Sequence, residues 1–231
     1  MAKNKKQTDE HGNEYLENPE ALAEQISRTE EFVEKNKALV FGVVAILVLL
    51  VAGVFGYRYY VNTQEQLAQS EMFQAIYYFE SDSLDLALNG DGNNLGFIDI
   101  TEEYSITDAG NLANYYAGTA YLKQGKFKQA ILYLEDYSSD DLLVQPRAYS
   151  LIGDANMELN EYDKAASAYE KAASYKPNKQ FTPTYLLKAA LAYEKAGKIA
   201  EAKEAYQTIV EDFWDSSEFQ KAKKLKAQLG N

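Results

Sequence analysis

The sequence contains no cysteine, and this absence removes several kinds of chemistry at once. Without thiols the chain has no disulfide, no thiolate-bound metal and no cysteine nucleophile. It contains a single histidine, His11, in a polar stretch, so no second imidazole or thiol is present to complete a zinc-type site. Proline is also scarce, with four residues in 231, and this scarcity is typical of a helical protein.

Positive charge is in the minority. Lysine and arginine total 23 against 35 aspartates and glutamates, which gives a formal net charge of −12. A chain this acidic is repelled by nucleic-acid phosphates and by anionic lipid surfaces. We therefore expect no nucleic-acid partner.

Catalytic motifs are missing as well. The sequence has no H-E-x-x-H, no Walker A loop, no G-x-S-x-G and no Cys/His pair. Its many carboxylates fall mostly at solvent-facing helical positions. We therefore expect a protein that is not an enzyme and that uses no cofactor, no metal and no small-molecule substrate.

One turn invites a comparison with calcium-binding loops. Residues 89–94 form an Asn/Gly cluster, and from Asp91 onward several residues fall at positions 1, 3, 6, 8 and 12 of an EF-hand-like loop: Asp91, Asn93, Gly96, Ile98 and Glu102. The fifth position is Leu95, which cannot bind calcium. We expect an ordinary turn here.

The most prominent feature that is present is the apolar stretch from Ala38 to Gly56, ALVFGVVAILVLLVAGVFG, which contains no charge and no proline. As a helix it would extend about 28 Å, close to the thickness of the bilayer's hydrocarbon core. Tyr57, Tyr59 and Tyr60 follow, where aromatic side chains meet lipid headgroups. We predict a transmembrane helix at 38–60, surrounded by lipid. A preceding segment this long, with no A-x-A cleavage site, indicates an uncleaved signal anchor.

The distribution of cations predicts the orientation of this helix. Arg28, Lys35 and Lys37 lie just before it, whereas only Arg58 lies just after it. By the positive-inside rule the N-terminus is cytoplasmic and the larger C-terminal part lies outside. In a bacterium with two membranes this is a single-pass inner-membrane protein with a periplasmic domain.

Three further segments flank the predicted span. Residues 1–18 are polar and are expected to be a disordered cytoplasmic tail. Residues 19–37 predict a juxtamembrane amphipathic helix, which starts at Pro19 and repeats Leu22, Ile26 and Val33 at helical spacing. This helix is either solvated or in contact with the cytoplasmic loops of a membrane partner. Residues 61–110 predict a helical stalk and a degenerate N-terminal repeat.

Residues 111–217 repeat themselves. Gly118, Gly153 and Ala190 occupy equivalent positions, 35 and 37 residues apart, and an alanine follows each of them twelve residues later. This period and pattern are those of the tetratricopeptide repeat. We predict three such repeats, with residues 218–231 as a C-terminal capping helix. The fold class is therefore all-α, with one N-terminal transmembrane helix followed by a tetratricopeptide-repeat α-solenoid.

The predicted binding surface is the concave groove of the array. In a tetratricopeptide unit this groove is lined by side chains at the second, fifth, ninth and twelfth positions of the first helix. The candidate partner-binding residues are Leu112, Tyr115, Thr119, Leu122, Arg147, Ser150, Asp154, Met157, Thr184, Leu187, Leu191 and Glu194. Leu122, Met157 and Leu191 are equally compatible with core positions between helices. Arg147 alone does not reproduce the basic clamp with which some family members bind acidic tails.

This arrangement of segments, together with the stretch GFIDITEEYSITDAGNLANYYAGTAYLKQGKFKQAILYLEDY at residues 96–137, resembles the YfgM-like ancillary subunits of the SecYEG translocon, in particular bacterial envelope proteins of the Bacteroidota. The resemblance implies a periplasmic protein that binds the Sec translocon and a periplasmic chaperone or peptidyl-prolyl isomerase. It transfers no residue-level motif.

Three functions remain open on the sequence. The first is a translocon accessory protein whose groove binds a chaperone or a translocating client. The second is a scaffold subunit of another envelope assembly or secretion machine. The third is a regulatory anchor that presents its cytoplasmic tail to a soluble protein.

Overall fold

The computed structural model describes residues 19–230, and the chain divides into two units between Tyr59 and Tyr60. The tail at 1–18, which includes His11, and the terminal Asn231 lie outside the described residues. The helices are α1 Pro19–Lys35, α2 Lys37–Glu80, α3 Leu84–Asn89, α4 Phe97–Glu103, α5 Asp108–Lys123, α6 Phe127–Asp136, α7 Val144–Glu158, α8 Tyr162–Ser174, α9 Thr182–Lys195, α10 Ile199–Asp212 and α11 Phe219–Gln228. No strand occurs between residues 19 and 230, which confirms the all-α prediction.

The first unit contains α1 and the first part of α2. α1 spans Pro19–Lys35 within the predicted juxtamembrane segment. Within the described chain, α2 is the one helix long and apolar enough to cross a membrane, and no side chain of its apolar window is buried. Val48, Leu49 and Phe55 are each at least 60% exposed. Such a surface is stable in hydrocarbon and costly in water.

The second unit contains three consecutive helix pairs: α5 with α6, α7 with α8, and α9 with α10. Each pair is joined by a three-residue turn, whose middle residue is Gly125, Asn160 or Gly197. All three of these residues adopt a positive φ between 59° and 75°. Glycine and asparagine are the residues that tolerate this left-handed conformation best, so the turn chemistry is the same in every repeat.

The two helices of each repeat approach closely at the small residues that the sequence identified. Gly118, Gly153 and Ala190 are buried, as are their partners Ala130, Ala165 and Ala202. A Cβ atom at Gly153 would lie 2.5 Å from Cε1 of Tyr169, and one at Gly118 would lie 2.6 Å from Cγ of Leu134. The two glycines are therefore required by the large side chain that lies directly on them.

Residues 60–110 cover the N-terminal end of the array. Here α4 contributes Phe97 and Ile100, both fully buried, to a core shared with α2, α3 and α5. The rings of Phe79 and Phe97 pack against Tyr116 of α5, with centroid distances of 5.4 and 5.2 Å. Two short helices, α3 and α4, lie in this segment.

The Asn/Gly turn is organised by one carboxylate. Asp91 Oδ1 accepts the backbone N–H groups of Asn93 at 2.8 Å and Asn94 at 2.7 Å. Its Oδ2 accepts the Tyr78 hydroxyl at 2.7 Å and the Asn94 side-chain amide at 2.9 Å. These donors, the Tyr78 hydroxyl first, lower the pKa of Asp91 well below its usual value. Its oxygens thus bind the protein's own groups, and between residues 19 and 230 no cluster of three potential metal-ligating side chains occurs.

The array ends with α11, which packs on α10. Ala222 is fully buried, and Leu225 and Leu229 pack against the cluster around Tyr206. Lys221, Lys223 and Lys224 are exposed. A helix that is apolar on one side and charged on the other protects the open end of a solenoid from water and from stacking.

Replacing Gly153 with alanine is expected to destabilise the array by about 1–3 kcal/mol, because the Tyr169 ring has to move away from the new methyl group. For a chain of this size that corresponds to a fall in melting temperature of several degrees, on the order of 2–4 °C per kcal/mol, measurable by circular dichroism.

The matched control for this substitution is Ser167→Ala, at an exposed position of α8 in the same repeat. Its effect should stay within about 0.5 kcal/mol. Equal melting temperatures for the two variants would contradict the close-contact account of Gly153.

Candidate interaction surface

The twelve predicted groove residues lie on α5, α7 and α9, the first helices of the three repeats, and differ widely in exposure. Arg147 is exposed, whereas Ser150 and Leu187 are 4% and 8% exposed and contribute mainly to packing. The other nine are half-buried: Leu112, Tyr115, Thr119, Leu122, Asp154, Met157, Thr184, Leu191 and Glu194. The surface is therefore semi-apolar, with one protruding cation.

The apolar groove residues also pack between helices. Leu112 contacts the core clusters on both sides of α5, and the Tyr115 ring lies 5.4 Å from that of Tyr137. Met157 packs against the cluster around Tyr169, and Leu191 packs against that around Tyr206. Each side chain thus presents one edge to the surface while its other atoms support the array, so it is held rigidly.

A polar network lies in the middle of this face. Lys188 Nζ lies 2.9 and 3.0 Å from the two oxygens of Asp154, and donates to Ser150 Oγ at 3.1 Å. Asp154 Oδ1 also accepts the Tyr169 hydroxyl at 2.6 Å. The network links the first helices of the second and third repeats. Lys188 was not among the predicted groove residues. Its position one helical turn after Thr184 places it on the same face of α9, and this spacing could have identified it.

Other predicted groove residues are occupied by hydrogen bonds within the chain. The Thr184 hydroxyl donates to Glu218 Oε1 at 2.9 Å, and the Thr119 hydroxyl donates to the Tyr115 carbonyl at 2.7 Å. Glu194 accepts the hydroxyl of Tyr206. A partner would have to displace these bonds to use the same polar atoms, so their net value to binding is small.

Two buried tyrosines hold their protons strongly. Burial is the main cause that raises the pKa of Tyr169 far above its usual value, followed by its hydrogen bond to Asp154. The same two causes act on the pKa of Tyr206, with Glu194 as the acceptor. Both phenols therefore stay neutral donors to a carboxylate over the whole physiological range.

Three residues, one from each repeat, are linked electrostatically: Tyr115 on α5, Arg147 on α7 and Tyr185 on α9. Burial raises the pKa of Tyr185, the positive charge of Arg147 lowers it, and the phenol of Tyr115 raises it, so both groups lie within electrostatic range of Tyr185. Arg147 is exposed and Tyr115 and Tyr185 are half-buried. Tyrosine and arginine are the residues that most often dominate protein interfaces. We name these three residues the Tyr–Arg patch; Tyr185 was not among the predicted groove residues.

Two open clefts border the repeats. A cleft of about 820 Å³ lies between α6, α7 and α8, with Ile131, Tyr149 and Ile152 in its lining and Lys128 and Lys171 among its charged residues. A second, of about 670 Å³, is lined by Leu112, Tyr137, Tyr149 and Tyr175, together with polar groups of the 138–140 loop. The larger cleft involves the second helices of the repeats, so two different faces of the array offer apolar surface.

Comparison with known protein families agrees with this geometry. Two family models, each of the tetratricopeptide repeat, match residues 115–179 and residues 184–216. Within these boundaries the chain consists of tetratricopeptide repeats, a class of module that usually binds other proteins and does not catalyse reactions. No curated protein sequence matches the chain.

Solved structures show the same fold at low sequence identity. Nearly identical TPR-like repeats assigned to a kinesin light chain of Podosopora anserina superpose with a TM-score of 0.54 at 13% identity, covering 72% of this chain and 86% of that one. A single-substitution variant of the same repeats superposes with a TM-score of 0.52 at 14% identity, covering 72% of this chain and 93% of that one. At this identity the likeness defines the fold alone. Residues 115–179 and 184–216 are thus tetratricopeptide repeats, and an additional apolar helix precedes them in the chain.

Replacing Asp154 with alanine should destabilise the array by about 1–2 kcal/mol, because Lys188 and the Tyr169 hydroxyl lose their acceptor in a site about one-third exposed. The control is Asp163→Ala, which removes an ion pair with Lys198 of the same 2.9 Å length in a more exposed setting. That change should cost less than about 0.5 kcal/mol. Similar chemical-denaturation midpoints for the two variants would contradict the role of the network.

The raised pKa values of Tyr169 and Tyr206 predict loss of stability in alkali. Tyrosine in an unfolded chain deprotonates near pH 10, whereas these two side chains remain protonated in the fold. Above about pH 10 the unfolded state therefore releases protons that the native state retains, and stability falls as the pH rises. Melting temperatures between pH 8 and pH 11 should fall less steeply in the Tyr169→Phe/Tyr206→Phe double variant. Parallel curves for the two proteins would refute this explanation.

Proposed function

We propose that this chain is a non-enzymatic, membrane-anchored interaction protein that acts as an accessory subunit of the Sec translocon. Its repeats lie in the periplasm and bind a chaperone, a peptidyl-prolyl isomerase or an emerging client. The observation that carries the proposal is the presence, in one chain, of a helix whose apolar window is wholly unburied and of a tetratricopeptide array.

The anchoring part of the proposal rests on physical cost. Side chains of α2 such as Leu49, Leu50 and Phe55 are 61–71% exposed. Leaving such residues in water costs about 1.5–3 kcal/mol each relative to burial. No helix of the described chain covers them, so insertion into a bilayer is the arrangement that removes this cost. The Lys/Arg asymmetry then favours a cytoplasmic N-terminus.

The interaction part rests on the Tyr–Arg patch. Arg147 is an exposed cation in a chain of net charge −12, and Tyr115 and Tyr185 on the neighbouring repeats are half-buried. A guanidinium between aromatic groups can bind a carboxylate or a backbone carbonyl of an extended segment while the rings cover apolar side chains. An unfolded or newly translocated segment offers both kinds of group.

The Sec assignment depends on the sequence resemblance at residues 96–137, and a scaffold role in another envelope assembly or secretion machine is the second candidate. Membrane anchoring and an interaction groove serve either role equally well. The identity of the bound partner distinguishes the translocon role from the scaffold role.

Affinity purification of the full chain from detergent-solubilised membranes tests the proposal. Sec subunits together with a periplasmic folding factor should co-purify. Recovery of the subunits of another envelope machine in their place would favour the scaffold role. Absence of any Sec subunit and any folding factor would contradict the translocon assignment.

The binding face is tested by charge reversal. Arg147→Glu should reduce recovery of the groove partner several-fold, on the order of ten-fold for a central interface arginine. Lys128→Glu makes the same change on the second-helix face, beside the larger cleft, and should leave recovery unchanged. The opposite ranking of these two variants would place the partner on the other face.

A further inference from the structure

Helix α1 carries an apolar stripe that nothing in the described chain covers. Leu22, Ile26 and Val33 are 42%, 52% and 39% exposed. Two ion pairs of α1 lie elsewhere on its surface: Arg28 bonds Glu24 at 2.6 Å, and Lys35 bonds Glu31 at 2.6 Å. These four charges lie away from the apolar stripe, and Glu30 and Glu34 border it.

The stripe has the spacing of a coiled coil. From Leu22 the residues that share this side are separated alternately by four and three positions: Leu22, Ile26, Thr29, Val33, Asn36 and Val40. Helical hydrogen bonds continue through the junction with α2, since Asn36 N–H donates to Phe32 O and Val40 N–H donates to Asn36 O, each at 3.0 Å. The register is thus unbroken from α1 into the predicted span.

The residue types at these positions fit two parallel strands. Ile26, Val33 and Val40 fall at the a positions of the heptad, and Leu22, Thr29 and Asn36 fall at the d positions. β-Branched residues at a with leucine at d favour parallel dimers, so the three a positions and Leu22 carry this preference, whereas Thr29 and Asn36 at d do not contribute to it.

The surface also has the shape that this packing requires. A shallow hollow of about 680 Å³ lies on the stripe and is lined by Gln25, Ile26, Thr29, Glu30, Val33 and Glu34. Four of these, at heptad positions a, d, e and the next a, form the hole that receives a d side chain of a facing helix: Ile26, Thr29, Glu30 and Val33. The knob that corresponds to this hole is Thr29 of a second copy.

The flanking charges permit pairing of identical chains. In a parallel dimer a residue at g faces the residue at e five positions further along the other helix. Here Gln25 would face Glu30, and Phe32 would face Lys37. Neither contact joins like charges. By contrast, Glu30 and Glu34 at the edge of the hollow are unfavourable toward an anionic lipid surface.

We propose that two copies of this chain pair in parallel through α1, with the stripe from Leu22 to Val40 as their contact. Fewer than three heptads are marginal for free helices in water, but two chains anchored in one membrane share orientation and a high local concentration. The parallel orientation rests on the membrane anchoring proposed above, whereas the contact itself rests on α1. The repeats would then be presented as a pair.

The absence of cysteine makes this proposal directly testable. Ile26→Cys and Val33→Cys place single thiols on the stripe, and Ser27→Cys and Glu31→Cys place matched thiols on the opposite side. The full chain in native membranes, and the purified chain reconstituted alone in liposomes, is oxidised with copper phenanthroline. The first two variants should yield a disulfide-linked dimer at least about five-fold more efficiently than the last two.

Co-expressed copies with two different tags identify the product as a homodimer. Equal cross-linking on both sides, no cross-linking, or a product that contains another protein would each overturn the proposal. In the Ile26→Cys background, Val33→Glu should lower the yield several-fold through like-charge burial, whereas Glu31→Gln should not. Sedimentation with the membrane fraction tests anchoring separately, so failure of the anchor is distinguishable from failure of the dimer.

Discussion

Close contact between the two helices of a repeat is the constraint on which the array depends. At Gly118 and Gly153 the space of a Cβ atom is occupied by Leu134 and by the ring of Tyr169. The large side chain on the second helix is therefore buried by the backbone of the first, and its hydroxyl, where present, reaches a carboxylate of that first helix. The recurring turn with a left-handed middle residue returns the chain at the separation that this contact requires. Stacking of one repeat on the next follows from that geometry.

The same contact shapes the candidate interaction surface. Because Tyr169 and Tyr206 donate to Asp154 and Glu194, two acidic groups of the groove are held within the chain. Lys188 neutralises the first of them further. A net charge of −12 therefore does not make the groove an acidic one, and the cation that protrudes there is Arg147. Polar side chains that already form hydrogen bonds within the chain contribute little to a partner's binding, so the remaining exposed side chains are the better candidates for contact.

The two units follow different rules of burial. In the repeat unit, alanines and aromatic rings fill the core and charges lie outside. In the first unit, apolar side chains cover α2 on all sides, and those of α1 form one stripe. An all-round apolar helix is matched by lipid, which has no directional preference, whereas a heptad stripe is matched by another helix of the same spacing. The apolar part of α2 is therefore suited to lipid, and the stripe on α1 is suited to a second helix, although the two are consecutive in the sequence.

Much of this architecture was readable from local pattern. The sequence by itself determines the turns at Gly125, Asn160 and Gly197 and the small residues of the repeats, because these features depend on backbone conformation and spacing. The spacing of the groove residues did not predict which of them are exposed and which are buried. Ser150 and Leu187 are buried, and Asp154 binds Lys188 of the next repeat and Tyr169 of its own. Those outcomes depend on the separation and rotation of successive helices, which arise only when repeats pack together. The tertiary structure alone therefore decided that Arg147 is the one exposed residue among the twelve predicted groove positions.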